Sequence, residues 1–200
     1  MADVEHKNLT DPELHEPKGI ATAGNGEVYR ANGAGTGVWT PTVGQGYGCL
    51  RKTASQVSSG MSTTYQPINT ATLGIDWSGV VQDIHGDVQG DVPGGYLYFA
   101  DGGVYQMNIS LSVRGTTSQA RHYKFTIGVD PNSIGTIQDQ SAVIQSYVTT
   151  RAADQMEAVS LACFPSFISN SKVYLMVATD TGNVSELEFR AINMTMQRVN

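Results

Sequence analysis

Tyr105, Met107, Ile109, Leu111 and Val113 are apolar, and Gln106, Asn108, Ser110 and Ser112 between them are polar. A side-chain direction that repeats every two residues belongs to a β-strand, so this run has one apolar and one wet face. Just before it, Tyr96-Leu97-Tyr98-Phe99 is a short aromatic run closed by Ala100-Asp101-Gly102-Gly103. Asp-Gly between two strand-like runs is a hairpin signal, because glycine accepts φ > 0 at no steric cost. A hairpin with one apolar face needs a second sheet to cover it, and the rest of the chain must supply that sheet.

The supply is ample. Residues 61–66, 72–77 and 80–84 read as short strands, broken by Pro67 and by Gly and Asn turns. Tyr123, Phe125, Ile127 and Val129 alternate with Lys124, Thr126 and Gly128 before the turn at Asp130-Pro131-Asn132. Residues 143–150 and 156–164 come next, the second stopped by Pro165. Near the end, Ile192, Met194 and Met196 alternate with Asn193, Thr195 and Gln197. There is no repeat period and no strong helical pattern, so the chain is predicted to be all-β, a jelly roll or similar β-sandwich.

Residues 173–178 are apolar on both faces. In a lone two-sheet sandwich one side of each strand meets water, so Tyr174, Met176 and Ala178 need a further cover. A symmetric oligomer interface is the simplest one, and it places Tyr174 and Met176 at that contact. A central strand under a long loop is the alternative.

Residues 1–48 differ in kind from residues 49–200. They hold nine of the 22 glycines and few aliphatic side chains, too few to build a core of their own. Pro12 and Pro17 fix φ and bias their predecessors toward extended backbone, and Val28-Tyr29-Arg30 reads as a short strand. The isolated apolar anchors (Leu14, Val28, Tyr29 and Trp39 among them) suit an arm that orders against a partner. His15 fits a hydrogen-bonding role there. The expected organisation is an extended arm over 1–48, a Gly/Ser-rich linker over 49–60 and the sandwich over 61–200.

Charge narrows the function classes. The net charge of −6 argues against nucleic acid, which attracts basic surfaces. No apolar run approaches the roughly 20 residues that span a bilayer, and the polar, acidic start is not a secretory signal. Assembly in a cytoplasm is expected. There Cys49 and Cys163 stay reduced, and the Asn-x-Ser/Thr matches at Asn8, Asn108, Asn183 and Asn193 are chance.

Motifs for chemistry are weak. Asp83, His85 and Asp87 would share a face on an extended strand, but no ligand spacing of a known metal loop is present, so residues 83–91 read as a solvated acidic loop. No nucleophile elbow or paired-histidine motif occurs, and Gly33-Ala34-Gly35-Thr36-Gly37 lacks the Lys-Ser/Thr of a phosphate loop. No catalytic residue, metal or cofactor is expected, and no enzymatic activity.

Residues 9–41, LTDPELHEPKGIATAGNGEVYRANGAGTGVWTP, resemble the N-terminal arm of small structural proteins of tailed bacteriophages, variously head fibres, capsid decoration proteins or tail-fibre-like proteins. The matching features are DPELHEPKG at 11–19, the Val28-Tyr29 strand, the glycine-rich run and Trp39. Residues 94–113 and 189–199 are similar to the C1q/TNF-like jelly rolls that cap phage fibres. The resemblance implies a homotrimer on the outer capsid surface of the virion, gripping the major capsid protein through Pro12, Leu14, His15, Pro17, Val28, Tyr29 and Trp39. It departs from a long fibre in having no shaft, which favours a compact knob. The alternative is a tail-fibre or receptor-binding tip recognising host-surface glycans. A virion polysaccharide-degrading enzyme is a more distant one.

Overall fold

The computed structural model describes residues 27–31, 37–41, 47–82, 88–117, 119–151, 154–180 and 186–199. The chain divides into two units, residues 1–44 and 45–200. In the first, β1 (Glu27–Ala31) and β2 (Gly37–Pro41) pair antiparallel. The expected strand at 28–30 is present, and it is paired with a second one, Val28 opposite Thr40. Pro12, Leu14, His15 and Pro17 lie outside the described residues, as do Asp83, His85 and Asp87.

The second unit begins with β3 (Tyr47–Lys52), β4 (Gln56–Val57) and β5 (Gln66–Pro67). A single helical turn, α1 (Thr70–Leu73), leads to β6 (Gly79–Gln82), β7 (Val88–Asp91) and β8 (Tyr96–Phe99). Two long strands come next, β9 (Gly103–Gly115) and β10 (Arg121–Asp130). Then come β11 (Gln138–Asp139), β12 (Ser146–Thr150), β13 (Met156–Cys163) and β14 (Ser166–Phe167). The last two are β15 (Ser171–Thr179) and β16 (Leu187–Arg198). One sheet runs β11-β10-β15-β8-β7, with β12 on β10 and β5 on β15; the other runs β13-β9-β16-β3-β6, with β14 on β9 and β4 on β16. This is the two-layer antiparallel sandwich the alternation demanded.

The core lies between the layers. Tyr105, Met107, Ile109, Leu111 and Val113 of β9 are all buried, facing Leu97, Phe99, Phe125, Val173, Leu175 and Val177 of the opposite sheet. The Tyr96–Phe99 and Tyr105–Val113 runs are nevertheless not a hairpin. β8 and β9 belong to different sheets, and residues 100–102 carry the chain from one layer to the other. Both apolar faces are satisfied by facing each other across the core: the Phe99 and Tyr105 rings meet edge to face at 4.6 Å, and the Tyr105 hydroxyl donates to the Asp101 carbonyl at 2.8 Å.

Three further expectations are corrected. Residues 72–77 are not a strand: Asn69 Oδ1 accepts from the Thr72 N–H at 2.8 Å and Gly74 ends the turn at φ 66°, so capping outweighs the β-branched pattern. Residues 61–66 contribute only the start of β5. And residues 49–60 are not a linker, since β3 pairs with both β16 and β6 and Leu50 is fully buried. Gly48 misled because its role is close approach rather than slack. A Cβ there would lie 2.2 Å from Val88 Cγ1, where β3 of one sheet passes β7 of the other. Gly48→Ala is therefore expected to destabilise by about 2 kcal/mol through overpacking, read as a lowered urea midpoint with unchanged slope.

The outer face of β15 is covered within the chain itself. Tyr174 is 8% and Met176 4% exposed. Tyr174 packs on the Tyr96 ring at 5.3 Å. Met176 fills the space over Gly128 beside Ile137, and Tyr65 and Gln145, which flank β15 and β10 on opposite sides, are hydrogen-bonded to each other. The reason for placing an interface at Tyr174 and Met176 falls away, and the loop-covered central strand is what the structure contains.

Candidate functional site

A different sheet face is bare. On β13, β9, β16 and β3 the outward residues align in rows: Ala158–Ser112–Ala191, Ser160–Ser110–Asn193–Arg51 and Ala162–Asn108–Thr195–Cys49. Strand alternation puts them there, since their neighbours Val159, Leu111, Ile192, Met194 and Leu50 are turned into the core. Every side chain in these rows except Arg51 is small and uncharged. A face meant for water alone is ordinarily studded with long charged side chains, whereas charge depletion marks the centre of an interface. The rows enclose a shallow trough of about 470 Å³. Beside it the buried Cys49 thiol donates to Asn193 Oδ1 at 3.1 Å, and burial, opposed by Arg51, pushes its pKa up. Cys49 is a packing residue here, and both cysteines are free.

Further along the same strands, beyond the Ala158–Ser112–Ala191 row, lies a neutralised ion cluster. The Glu188 side chain, 5% exposed, accepts from Arg114 and from Arg190 Nη1, the latter at 2.7 Å. Ser55 donates to the same carboxylate, and Arg114 also reaches Asp154 at 2.8 Å. The Ser55 hydrogen bond, helped by Arg190 and Arg114 against the cost of burial, holds the Glu188 carboxyl down at about 2. Its folded value lies below its unfolded one, so the stabilisation is present above the ordinary 4.5 and is lost as pH falls toward about 2. Glu188→Gln leaves two guanidinium groups under-compensated and is expected to cost about 3 kcal/mol at pH 7. Urea midpoints at neutral and strongly acidic pH check this, the gap between the two proteins narrowing in acid.

The N-terminal unit contributes a second surface. Tyr29 is directly opposite Trp39 in the β1–β2 register, and Val28 opposite Thr40. Two aromatic residues assigned to docking, ten positions apart in sequence, thus form one cross-strand pair. Tyr29 is 36% exposed.

No catalytic constellation accompanies these surfaces. Among the described residues no group of three or more His, Cys, Asp or Glu side chains could hold a metal ion. Asp91, part of the acidic loop, is committed to a turn: it accepts from the Gly94 N–H at 2.7 Å and from the Tyr96 hydroxyl at 2.8 Å. The small-residue face escaped the sequence reading because Ser, Asn and Ala at alternate positions look like any wetted strand side. The run of small uncharged residues at alternate positions of β9 and β13 (Asn108, Ser110, Ser112; Ala158, Ser160, Ala162) was the available signal.

No family model matches the chain, and no curated protein does. Among solved structures, the globular domain of zebrafish complement 1qA protein aligns at a TM-score of 0.50 and 11% identity, over 78% of this chain and 98% of that one. Eiger TNF from S. frugiperda aligns at a TM-score of 0.48 and 8% identity, over 77% of this chain and 92% of that one. The sandwich has the C1q/TNF-like jelly-roll fold.

Proposed function

We propose that this C1q/TNF-like sandwich is a structural virion protein, a homotrimer that decorates the outer surface of a phage capsid and is held to the major capsid protein by its N-terminal arm. The observation that carries the reading is the uncharged small-residue face of β13, β9, β16 and β3. The same sandwich offers a complementary surface: β12 and β13 each pair on one side only, and Tyr147 and Met156 on them are exposed. A flat face on one side and an apolar edge on another make a heterologous contact, which closes into a ring when the rotation per copy is a third of a turn. This moves the trimer contact from Tyr174 and Met176 to the opposite sheet.

Support for the arm is separate. A two-stranded hairpin is marginal in water by itself, so β1–β2 with its Tyr29–Trp39 pair is suited to a partner surface. The chemistry of the site calls for no cofactor, and the acidic balance suits neither nucleic acid nor an anionic membrane. Assembly in the host cytoplasm precedes incorporation. The test is localisation in an electron-microscopy map of the particle, where three-lobed knobs in hundreds of copies on the capsid are expected. Density confined to the tail, in few copies, would replace this reading with the glycan-recognising tip.

A further inference from the structure

The sandwich is pinched shut along one side and open along the other. On the closed side Gly48 meets Val88, and Gly90 meets Val80, so closely that a Cβ would lie 2.2 and 2.1 Å from the opposing side chain. On the other side, where β13 runs out at Cys163, the layers leave a cleft of about 470 Å³. Pockets that hold small organic ligands span roughly 300–1,000 Å³.

The cleft is built in advance. Its floor is Phe167, locked by the Phe99 ring at 4.9 Å and the Tyr105 ring at 5.8 Å. Val129 and Ile144 form one wall and Cys163 lies in the other, with Pro131 and Pro165, whose φ is fixed by the ring, at the two margins. At the mouth two large apolar side chains stand in water, Phe164 at 66% and Val143 at 82% exposure. The polar atoms present are amides and hydroxyls, from Gln138, Gln140, Ser166 and Ser171. Among the described residues no Lys, Arg, His, Asp or Glu lines the cleft. The Cys163 thiol is pushed up to about 11 by burial, in keeping with a dry, uncharged interior.

We propose that this inter-sheet cleft is a binding site for a small, uncharged, predominantly apolar ligand, an aliphatic or aromatic body carrying at most a hydroxyl or amide toward Gln140 and Ser166. The charge of the ligand is set by the lining. A buried carboxylate or ammonium would find no counter-ion and would lose its hydration uncompensated. An apolar body instead removes from water the surfaces of Val129, Ile144, Phe164 and Phe167 along with its own. The site lies on the sandwich alone, with no residue of the N-terminal unit in its lining.

The experiment uses the full chain and the neutral fluorophore N-phenyl-1-naphthylamine. Saturable binding of one probe per chain is expected, with displacement by 1-decanol. Decanoate and decyltrimethylammonium should compete about tenfold more weakly or worse, a gap of about 1.4 kcal/mol. Bound probe should slow maleimide labelling of Cys163 several-fold, with peptide mapping separating it from Cys49. Ser166→Trp, at an exposed position of the rim, should fill the mouth and weaken binding about tenfold at an unchanged melting temperature. The labelling readout needs no variant, so it decides even where Ser166→Trp folds poorly. Non-saturable binding, equal competition by the charged amphiphiles, or probe binding that leaves Cys163 labelling unchanged would overturn the assignment. Cys163 protected without probe, and released on dilution to monomer, would show that a second copy covers the cleft and would overturn it too.

Discussion

Ser110→Arg is expected to convert the proposed trimer to monomer at micromolar concentration while leaving the sandwich folded. Ser110 sits in the middle row of the small-residue face, between Ser160 and Asn193, with β16 separating it from Arg51. An arginine there adds a second guanidinium to the row that holds Arg51 and, once a neighbouring copy closes over it, buries a charge without a partner. Such a burial costs about 3–5 kcal/mol, which is roughly two to nearly four orders of magnitude in affinity at each of three contacts. Ser110 is exposed in the single chain, so the fold itself has nothing to lose. Sedimentation equilibrium with circular dichroism on the same sample reads both. Ala71→Arg, exposed on α1, is the control and should leave the trimer intact. A Ser110→Arg protein that remains trimeric at nanomolar concentration would move the interface elsewhere. A wild-type chain that is monomeric at high micromolar concentration would remove the trimer altogether.

Deleting residues 1–44 is expected to abolish capsid decoration without changing the melting temperature of the sandwich. The cut falls at the boundary between the two units, so it breaks no strand pairing within the second. Single substitutions should do less. Ordering a segment costs roughly 1–2 kcal/mol of backbone entropy per residue, and a buried Tyr or Trp returns roughly 2–3 kcal/mol. Three arms on one trimer engage together, so losing one anchor from each weakens attachment steeply only when the arms no longer act jointly. Tyr29→Ala or Trp39→Ala should therefore reduce occupancy, and the two together should approach the deletion. Co-sedimentation with capsids lacking the native protein measures this. Full occupancy by the deleted chain would place the docking surface on the sandwich.

What the sequence disclosed and what it withheld divide along a physical line. Periodicity reports which side of a strand is apolar, and so the buried faces of β9, β10 and β16 were legible residue by residue. It does not report which layer a strand joins. Phe99 and Tyr105 have the same pattern whether they are neighbours in one sheet or face each other across two. Glycine was the other source of error. At Gly48 a missing side chain lets two layers touch, yet in sequence it reads as a flexible joint. The doubly apolar β15 was recognised as needing cover, but the cover came from Tyr96 beside Tyr174 and Ile137 beside Met176, residues far apart in sequence whose meeting only the fold arranges. The functional face was the least visible part. A row such as Ser160–Ser110–Asn193–Arg51 gathers one residue from each of four strands, and its flatness exists only in the assembled sheet.

Tyr47, the first residue of β3, is paired with Gln197 near the end of β16, so the chain enters and leaves the sandwich at one pole. The connections β9–β10, β12–β13 and β15–β16 gather at the other, tied together by Thr116 Oγ1 donating to the Glu186 carbonyl at 2.9 Å and the Asp154 N–H to the Gly115 carbonyl at 3.0 Å. The thirteen residues of β9 separate the two poles by about 40 Å. The sandwich therefore has two distinct poles. A foreign peptide inserted between β9 and β10 would be carried at the pole opposite Tyr47 and Gln197, away from both of those strand ends, which makes that connection the natural place to mount cargo.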